Sequence, residues 1–191
     1  MPCEALVLSL FFVEDSSRFE QGYTMLSAAK IRELLKMEEL RTEGGYFAET
    51  YKSGLVVPAS ALPSSCGGDR RVASAIYYLL TPDTFSALHR LRGDEMFHFY
   101  LGDPVEMLQL REDGTGETVL LGQDIASGMR LQHVVPGGVW QGSRLARGGE
   151  YALLGTTVWP GFEYEDYESG RRQELIAIYP EFEEKIVGLT R

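Results

Sequence analysis

Cysteine is scarce in this 191-residue chain, which has only Cys3 and Cys66 and no CxxC pair. Two cysteines so spaced define no disulfide framework. We therefore expect two unpaired thiols in a reducing compartment, and a cytoplasmic protein.

Long apolar runs are also missing, and none approaches the roughly 20 residues needed to cross a bilayer. The run ALVLSLFFV at positions 5–13 resembles the apolar part of a secretory signal, but Glu4 precedes it and EDSS follows it. A signal would have basic residues before the run and small residues after it. We expect residues 1–24 to be an appendage, either an edge strand or disordered, before a single domain over residues 25–191. We expect no membrane partner.

Positive charge is in short supply, because 18 Lys and Arg face 28 Asp and Glu, for a net charge of -10 and a pI near 4.8. Such a chain lacks the basic face that nucleic-acid binding requires. The acidic residues concentrate between positions 161 and 184, where they predict a solvated face.

Glycine is abundant, with 21 residues, many of them in turn-like clusters between short apolar segments. Ser27, followed by apolar residues at Ile31, Leu34 and Leu35, predicts a helix from Ser27 to about Met37. Strands are predicted at 46–53, 72–80, 85–91, 96–101, 105–111, 118–121, 131–135, 139–143 and 151–159. The absence of strand–helix alternation disfavours a parallel sheet and indicates an all-β sandwich or barrel. The segment after Gly170 predicts two short helical turns separated at Pro180.

The stretch SALHRLRGDEMFHFYLG at 86–102 reads as two strands joined by a tight turn. His89 precedes the turn and Glu95 follows it, and both groups can bind a metal or move a proton. Strand periodicity places Glu95, Phe97 and Phe99 on one face and His98 on the other. His98 is therefore expected to be a packing or interface residue.

The spacing of these residues resembles the first motif of the cupins, G-x5-H-x-H-x3-4-E-x6-G. His89, Glu95 and Gly102 match it, while Leu91 stands where the second histidine would be. The resemblance implies a cupin jelly-roll β-barrel, a double-stranded β-helix, with the predicted N-terminal helix and C-terminal helical turns added.

The second cupin motif, G-x5-P-x-G-x2-H-x3-N, is similar to the segment that contains Pro136 and Gly138, with Gln141 in the place of the histidine. The strings VVPGGVWQG and TVWPGFEYEDYE most resemble the uncharacterised cupin-5 group, formerly domain of unknown function 985. That group belongs to the deoxysugar-epimerase-like cupins. GYFAETY at 45–51 is similar to an epimerase strand, R-G-x-F-x-E-x-F, which implies a ligand contact by Glu49. Gly44 stands where the arginine of that strand would be.

A typical cupin metal site has three imidazoles and one carboxylate. This chain retains His89 and Glu95, whereas Leu91 cannot bind a metal and Gln141 offers only a weak neutral oxygen. We expect no cofactor. The alternative is a weakly held divalent metal on His89, Glu95 and Gln141.

The resemblance to the sugar epimerases implies that His89 is a general base, and an adjacent carboxylate such as Glu95 would orient it. Tyr151 is a candidate for the opposing acid. Aromatic residues on the inner strands are candidates for the wall of a pocket that binds a sugar or nucleotide-sugar together with Gln141. They are Tyr77, Phe97, Phe99 and Trp140.

Three functions remain open at this point. The first is a metal-independent isomerase or epimerase of a sugar or other carbonyl-bearing metabolite. The second is a ligand-binding module without catalysis, and the third is a weakly metal-dependent cupin oxygenase. In each case an open barrel edge needs covering, which favours a homodimer that pairs through the N-terminal run or through Tyr46–Ser53.

Overall fold

The computed structural model describes residues 26–63 and 66–191, and the predicted appendage at 1–24 lies outside them. Antiparallel β-strands are the main secondary structure of the described chain, which confirms the predicted fold class. The strands are β1 (Glu38–Glu39), β2 (Tyr46–Lys52), β3 (Val56–Val57), β4 (Arg70–Arg71), β5 (Ser74–Leu80), β6 (Ser86–Arg90), β7 (Asp94–Gly102), β8 (Val105–Leu110), β9 (Gly116–Leu121), β10 (Gln132–Val135), β11 (Trp140–Leu145), β12 (Ala152–Trp159) and β13 (Glu168–Ser169).

Two sheets form the walls of the barrel. One has the strand order β1-β2-β5-β12-β7-β10, and the other has the order β13-β6-β11-β8-β9. A separate ribbon pairs β3 with β4. Strands distant in sequence are neighbours in both sheets, as in a jelly roll, in which connections cross from one sheet to the other. The expected homodimer stays a prediction.

Within residues 26–63 and 66–191, three α-helices lie outside the barrel: α1 (Ala28–Leu35), α2 (Arg172–Ile178) and α3 (Glu183–Gly188). The α1 helix begins where the sequence predicts, because the Ser27 side chain accepts a hydrogen bond from the Lys30 amide at 3.3 Å. Short 3₁₀ turns occupy Ala59–Ala61, Ile125–Ser127, Tyr164–Asp166 and Pro180–Phe182, and the last of these separates α2 from α3 as predicted.

Among the residues described, no helix is both long and apolar enough to cross a membrane.

The main core lies between the two sheets, because alternate residues of each strand point inward. Tyr78 and Leu80 of β5 and Leu154 of β12 belong to this inner cluster, whereas Leu79 packs outside beneath Ile31 of α1. A third cluster covers the outer face of the second sheet with α2 and α3. The outer face of the first sheet is thus partly covered by α1, and that of the second sheet by α2 and α3.

A β-bulge interrupts the pairing of β6 with β11. Gln141 pairs with His89, but Ser143 pairs with Ser86, so three steps on β6 oppose two on β11. An inserted residue reverses the alternation of side chains beyond it. Ser86 and His89 therefore both face the interior although they are three residues apart.

Leu154 is fully buried in the central strand β12, so Leu154→Ala leaves a cavity in the inner core. We expect the free energy of unfolding to fall by about 2–5 kcal/mol. The matched change Leu101→Ala, at a 38% exposed position of the neighbouring strand β7, should cost less than about 1 kcal/mol. Urea denaturation followed by circular dichroism measures both, and equal losses would contradict this account of the core.

Candidate functional site

A cavity of about 150 Å³ opens inside the barrel. Two buried titratable side chains line it: His89, which is 2% exposed, and Glu95, which is 7% exposed. Leu91, Phe47 and Ile76 are among the apolar residues of the wall. A small apolar chamber with a few convergent polar groups is typical of a small-molecule site.

The His89 ring is held by its own strand. Nδ1 lies 2.8 Å from the Ala87 carbonyl oxygen, to which only a protonated nitrogen can donate. In the neutral ring this bond assigns the hydrogen to Nδ1 and leaves Nε2 as the acceptor. Nε2 lies 3.5 Å from Gln141 Nε2 and 3.9 Å from Glu43 Oε2.

Glu95 is the other buried titratable group in the cavity. Gln141 Nε2 donates to Glu95 Oε2 at 2.6 Å, so the Gln141 amide lies between the carboxyl group and the imidazole. Burial and the nearby negative charge of Glu43 raise the Glu95 pKa to about 7, against the opposing effects of His89 and of hydrogen bonds from Thr156 and Gln141. Glu95 therefore exchanges its proton near neutral pH.

Glu43 was not anticipated as a site residue. It lies in the turn before β2, where Oε1 accepts a hydrogen bond from Ser86 Oγ at 2.5 Å. Because of the bulge in β6, Ser86 is placed beside the cavity, and Ser86 in turn fixes Glu43 near His89. The turn residues Glu43-Gly44-Gly45 carry no sequence pattern that connects them with His89.

Tyr167 was also missed. Its ring stacks on the His89 ring, with 4.9 Å between centroids and 18° between planes. Its hydroxyl donates to the Thr42 carbonyl at 3.4 Å, and burial, together with the charge of Glu43, raises the Tyr167 pKa to about 12. The hydroxyl therefore stays protonated at physiological pH and acts as a donor.

Tyr167 belongs to a segment, residues 161–168, that we call the strap. Phe162, Glu163 and Tyr164 of the strap also line the cavity, and Asp166 accepts a hydrogen bond from buried Arg70 at 3.2 Å. The sequence predicted only a solvated acidic face here. The acidic residues do alternate with aromatic residues, which was the available signal that one side of the segment is buried.

Of the predicted site residues, His89, Glu95 and Glu49 line the cavity. Gln141 does not, but it contacts His89 and Glu95 from behind. Phe97 and Phe99 point inward as predicted, yet they fill the core and do not line the cavity.

Three further assignments are corrected by the alternation of side chains along a strand. Trp140 lies on the outer face of its sheet, because its neighbour Gln141 points inward. Tyr77 packs against Tyr100 outside the barrel, since Tyr78 takes the inner position. Tyr151 packs in the outer cluster beneath α1 and does not line the cavity, so it cannot be the opposing acid.

His98 lies on the outer face, as its strand position predicts. Its Nε2 is 3.2 Å from Thr157 Oγ1, and its Nδ1 is 3.0 Å from Gln132 Nε2. It lies away from the cavity and cannot complete a site with His89.

The donor set does not suit the metal that the cupin fold implies. Leu91 contributes an apolar wall, and the amide nitrogen of Gln141, not its oxygen, faces Glu95 and His89. Across residues 26–63 and 66–191, no three His, Cys, Asp or Glu side chains are grouped so that they could hold a metal ion. The polar groups here are arranged for hydrogen bonding among themselves.

Solved structures of two other proteins share this architecture. Protein SO0799 from Shewanella oneidensis has a TM-score of 0.76 and 33% sequence identity, and the match covers 87% of this chain and 99% of that chain. A hypothetical protein from Leishmania major has a TM-score of 0.77 and 31% identity, with 86% and 99% covered. Both likenesses span nearly the whole of those proteins.

A relative in Saccharomyces cerevisiae (strain ATCC 204508 / S288c), the uncharacterized protein YML079W, is 31% identical over 133 residues. This match covers 65% of the present chain and 66% of the yeast protein, just under two thirds of its length. The family described as Cupin superfamily (DUF985) matches residues 29–170. That match spans most of the chain and includes His89, Glu95, Gln141 and the strap, so the protein belongs to this cupin family.

Proposed function

We propose that the cavity binds a small carbonyl-bearing metabolite, such as a sugar, and that His89 moves a proton at the carbon next to the carbonyl group. The observation that carries this proposal is that His89, whose Nδ1 contacts the Ala87 carbonyl so that Nε2 is the acceptor of the neutral ring, shares one cavity with a carboxyl group that titrates near neutral pH. A base and an acid whose environments differ in this way are the usual components of proton-transfer catalysis.

His89 is the base. The Ala87 carbonyl holds the Nδ1 hydrogen, so Nε2 is the nitrogen that accepts the substrate proton. Stacking on Tyr167 fixes the plane of the ring. When the imidazole becomes charged, Glu43 Oε2 at 3.9 Å stabilises the positive charge.

Glu95 is the acid. As the carbon–hydrogen bond breaks, its electron pair forms a carbon–carbon double bond, and the carbonyl electrons move to oxygen. Protonated Glu95 then donates its proton to that oxygen, which gives an enol, a glutamate anion and an imidazolium. A buried carboxylic acid can stabilise such an oxygen as a hydrogen-bond donor. Reversal returns a proton to the carbon and restores both groups.

The volume of the cavity limits the reacting part of the ligand. A protein cavity of about 150 Å³ accommodates a molecule the size of benzene. A ring or a short chain therefore fits beside His89, and any larger portion of the ligand extends towards solvent. The proposed chemistry needs no metal, which agrees with a donor set that lacks two of the usual cupin imidazoles.

The exchange of carbon-bound hydrogen for deuterium tests this function. Small sugars and α-substituted ketones are incubated in deuterated water with the protein, and exchange is followed by NMR. His89→Gln should slow exchange of a substrate by at least about 100-fold, because the general base is lost.

His98→Gln is the matched control, since it changes a histidine on the outer face of the same barrel. Exchange with this variant should equal that of the unmodified protein. If ligands bind but none exchanges faster than with His89→Gln, the protein is a ligand-binding module and the proposed reaction is wrong.

The raised Glu95 pKa also predicts a pH-dependent stability. The folded protein holds this proton up to about pH 7, whereas an unfolded glutamate releases it near 4.5. Between these values the folded state binds more protons, so the contribution of Glu95 to stability is present at low pH and is lost as pH rises. The loss approaches about 1.4 kcal/mol per pH unit.

Urea titrations at several pH values measure this effect as the difference between the unmodified protein and Glu95→Gln. Taking this difference cancels the contributions of titrating groups that both proteins share. Asp113 and Asp124 are examples, because their lowered pKa values make stability rise with pH. A pH-independent difference would contradict the assignment of a proton to buried Glu95.

A further inference from the structure

The charge of the cavity wall narrows the class of ligand. Four glutamates line it, Glu43, Glu49, Glu95 and Glu163, of which Glu95 carries its proton in the proposed reaction, and Lys52 is the one lysine or arginine among the described lining residues. Lys52 Nζ already lies 3.7 Å from Glu163 Oε1. A ligand therefore meets a wall that is negative overall.

The nearby arginines do not line the cavity. Arg70 and Arg92 lie 3.2 Å and 3.7 Å from Asp166 Oδ1, and Arg191 Nη1 donates to the Arg41 carbonyl oxygen at 2.9 Å. A phosphate or carboxylate placed beside His89 would therefore be repelled by the Glu43 charge, while Lys52, the one lining cation, already contacts Glu163. In a site shielded from water such repulsion is much stronger than at a surface.

The aromatic lining also favours a cation. Aromatic rings of Phe47, Phe162 and Tyr167 line the cavity, and the face of an aromatic ring attracts ammonium groups.

We propose that the substrate is a 2-amino carbonyl compound, such as an aminated sugar, whose ammonium group binds at Glu43. This inference rests on the proposed function, because it assigns one part of the substrate to each of Glu43, His89 and Glu95. Glu43 receives the ammonium group, His89 Nε2 faces the hydrogen of the carbon that bears it, and Glu95 faces the neighbouring carbonyl oxygen. The ammonium group also makes that carbon–hydrogen bond more acidic.

Glu95 remains able to carry its proton with this ligand. Burial is the larger cause of its raised pKa, and an ammonium group at Glu43 removes only the smaller cause, the Glu43 charge. Among the other groups near Glu95, Tyr78 stays protonated because burial raises its pKa.

Three small ketones that differ in one substituent test the inference: aminoacetone, hydroxyacetone and pyruvate. Each fits the cavity, and they carry an ammonium group, a hydroxyl group and a carboxylate beside the same carbonyl. NMR titration of the full chain at neutral pH should show aminoacetone binding at least about tenfold more tightly than hydroxyacetone, with pyruvate weakest. Equal affinities, or tightest binding by pyruvate, would overturn the proposal.

The variant Glu43→Gln keeps an acceptor for Ser86 but removes the charge. It should reduce the preference for aminoacetone over hydroxyacetone to near one. Glu181→Gln removes the same charge from an exposed position in the turn before α3 and should preserve the preference. A folded Glu43→Gln protein that still prefers aminoacetone would overturn the placement of the ammonium group at Glu43. If this variant does not fold, the order of the three affinities in the unmodified protein decides which ligand charge the cavity prefers.

Deuterium incorporation into the bound ketones separates this inference from the proposed function. Tight binding of aminoacetone without exchange would leave the charge preference standing and reject catalysis by His89. Exchange without any preference for aminoacetone would support catalysis and reject the amino substrate.

Discussion

The burial of Glu95 beside His89, with the Gln141 amide between them, is the constraint on which the rest of the site depends. Burying a carboxylate in an apolar barrel costs far more than burying its protonated form, unless a donor or a cation compensates. Gln141 supplies one donor at 2.6 Å, and the remaining cost is expressed as a pKa near 7. Burial and the Glu43 charge, acting against the Gln141 hydrogen bond, therefore set this carboxyl group to exchange its proton near neutral pH.

A local irregularity of β6 assembles the groups around that pair. Regular alternation would send either Ser86 or His89 out of the barrel, but the bulge directs both inward. Ser86 then holds Glu43, and the Ala87 carbonyl selects the nitrogen of His89 that is free to accept a proton. The strap completes the chamber by placing Tyr167 against the imidazole, and the Asp166–Arg70 contact anchors it. Apart from the Ala87–His89 contact, each of these contacts joins segments that are distant in the chain.

That distance explains what the sequence could and could not predict. His89 and Glu95 were predictable because they share one hairpin, where motif spacing and strand period determine their direction, and the fold followed from the same motif. Aromatic character predicts that Trp140 and Tyr77 point into the barrel, but their neighbours Gln141 and Tyr78 take the inward positions. The acidic composition of the strap predicts an exposed segment, because its charged residues outnumber its aromatic ones. Glu43 could not be predicted at all, since neither the bulge nor the turn that places it leaves a periodic signal.

Gly44 allows the turn before β2 to lie close to the chain that precedes β6. It stands where a similar epimerase strand has an arginine, and its φ of +111° with a Cβ that would lie 2.2 Å from the Phe85 carbonyl oxygen admits no side chain. The turn lies close to the chain just before β6, and the space beside Gly44 is occupied by the Phe85 carbonyl oxygen and by the Arg191 guanidinium, whose Nη1 donates to the Arg41 carbonyl oxygen at 2.9 Å. It also brings Glu43 to Ser86 and His89, so a carboxylate occupies the region near the base. One tight turn therefore both leaves no room for a side chain at Gly44 and places the Glu43 carboxylate beside His89.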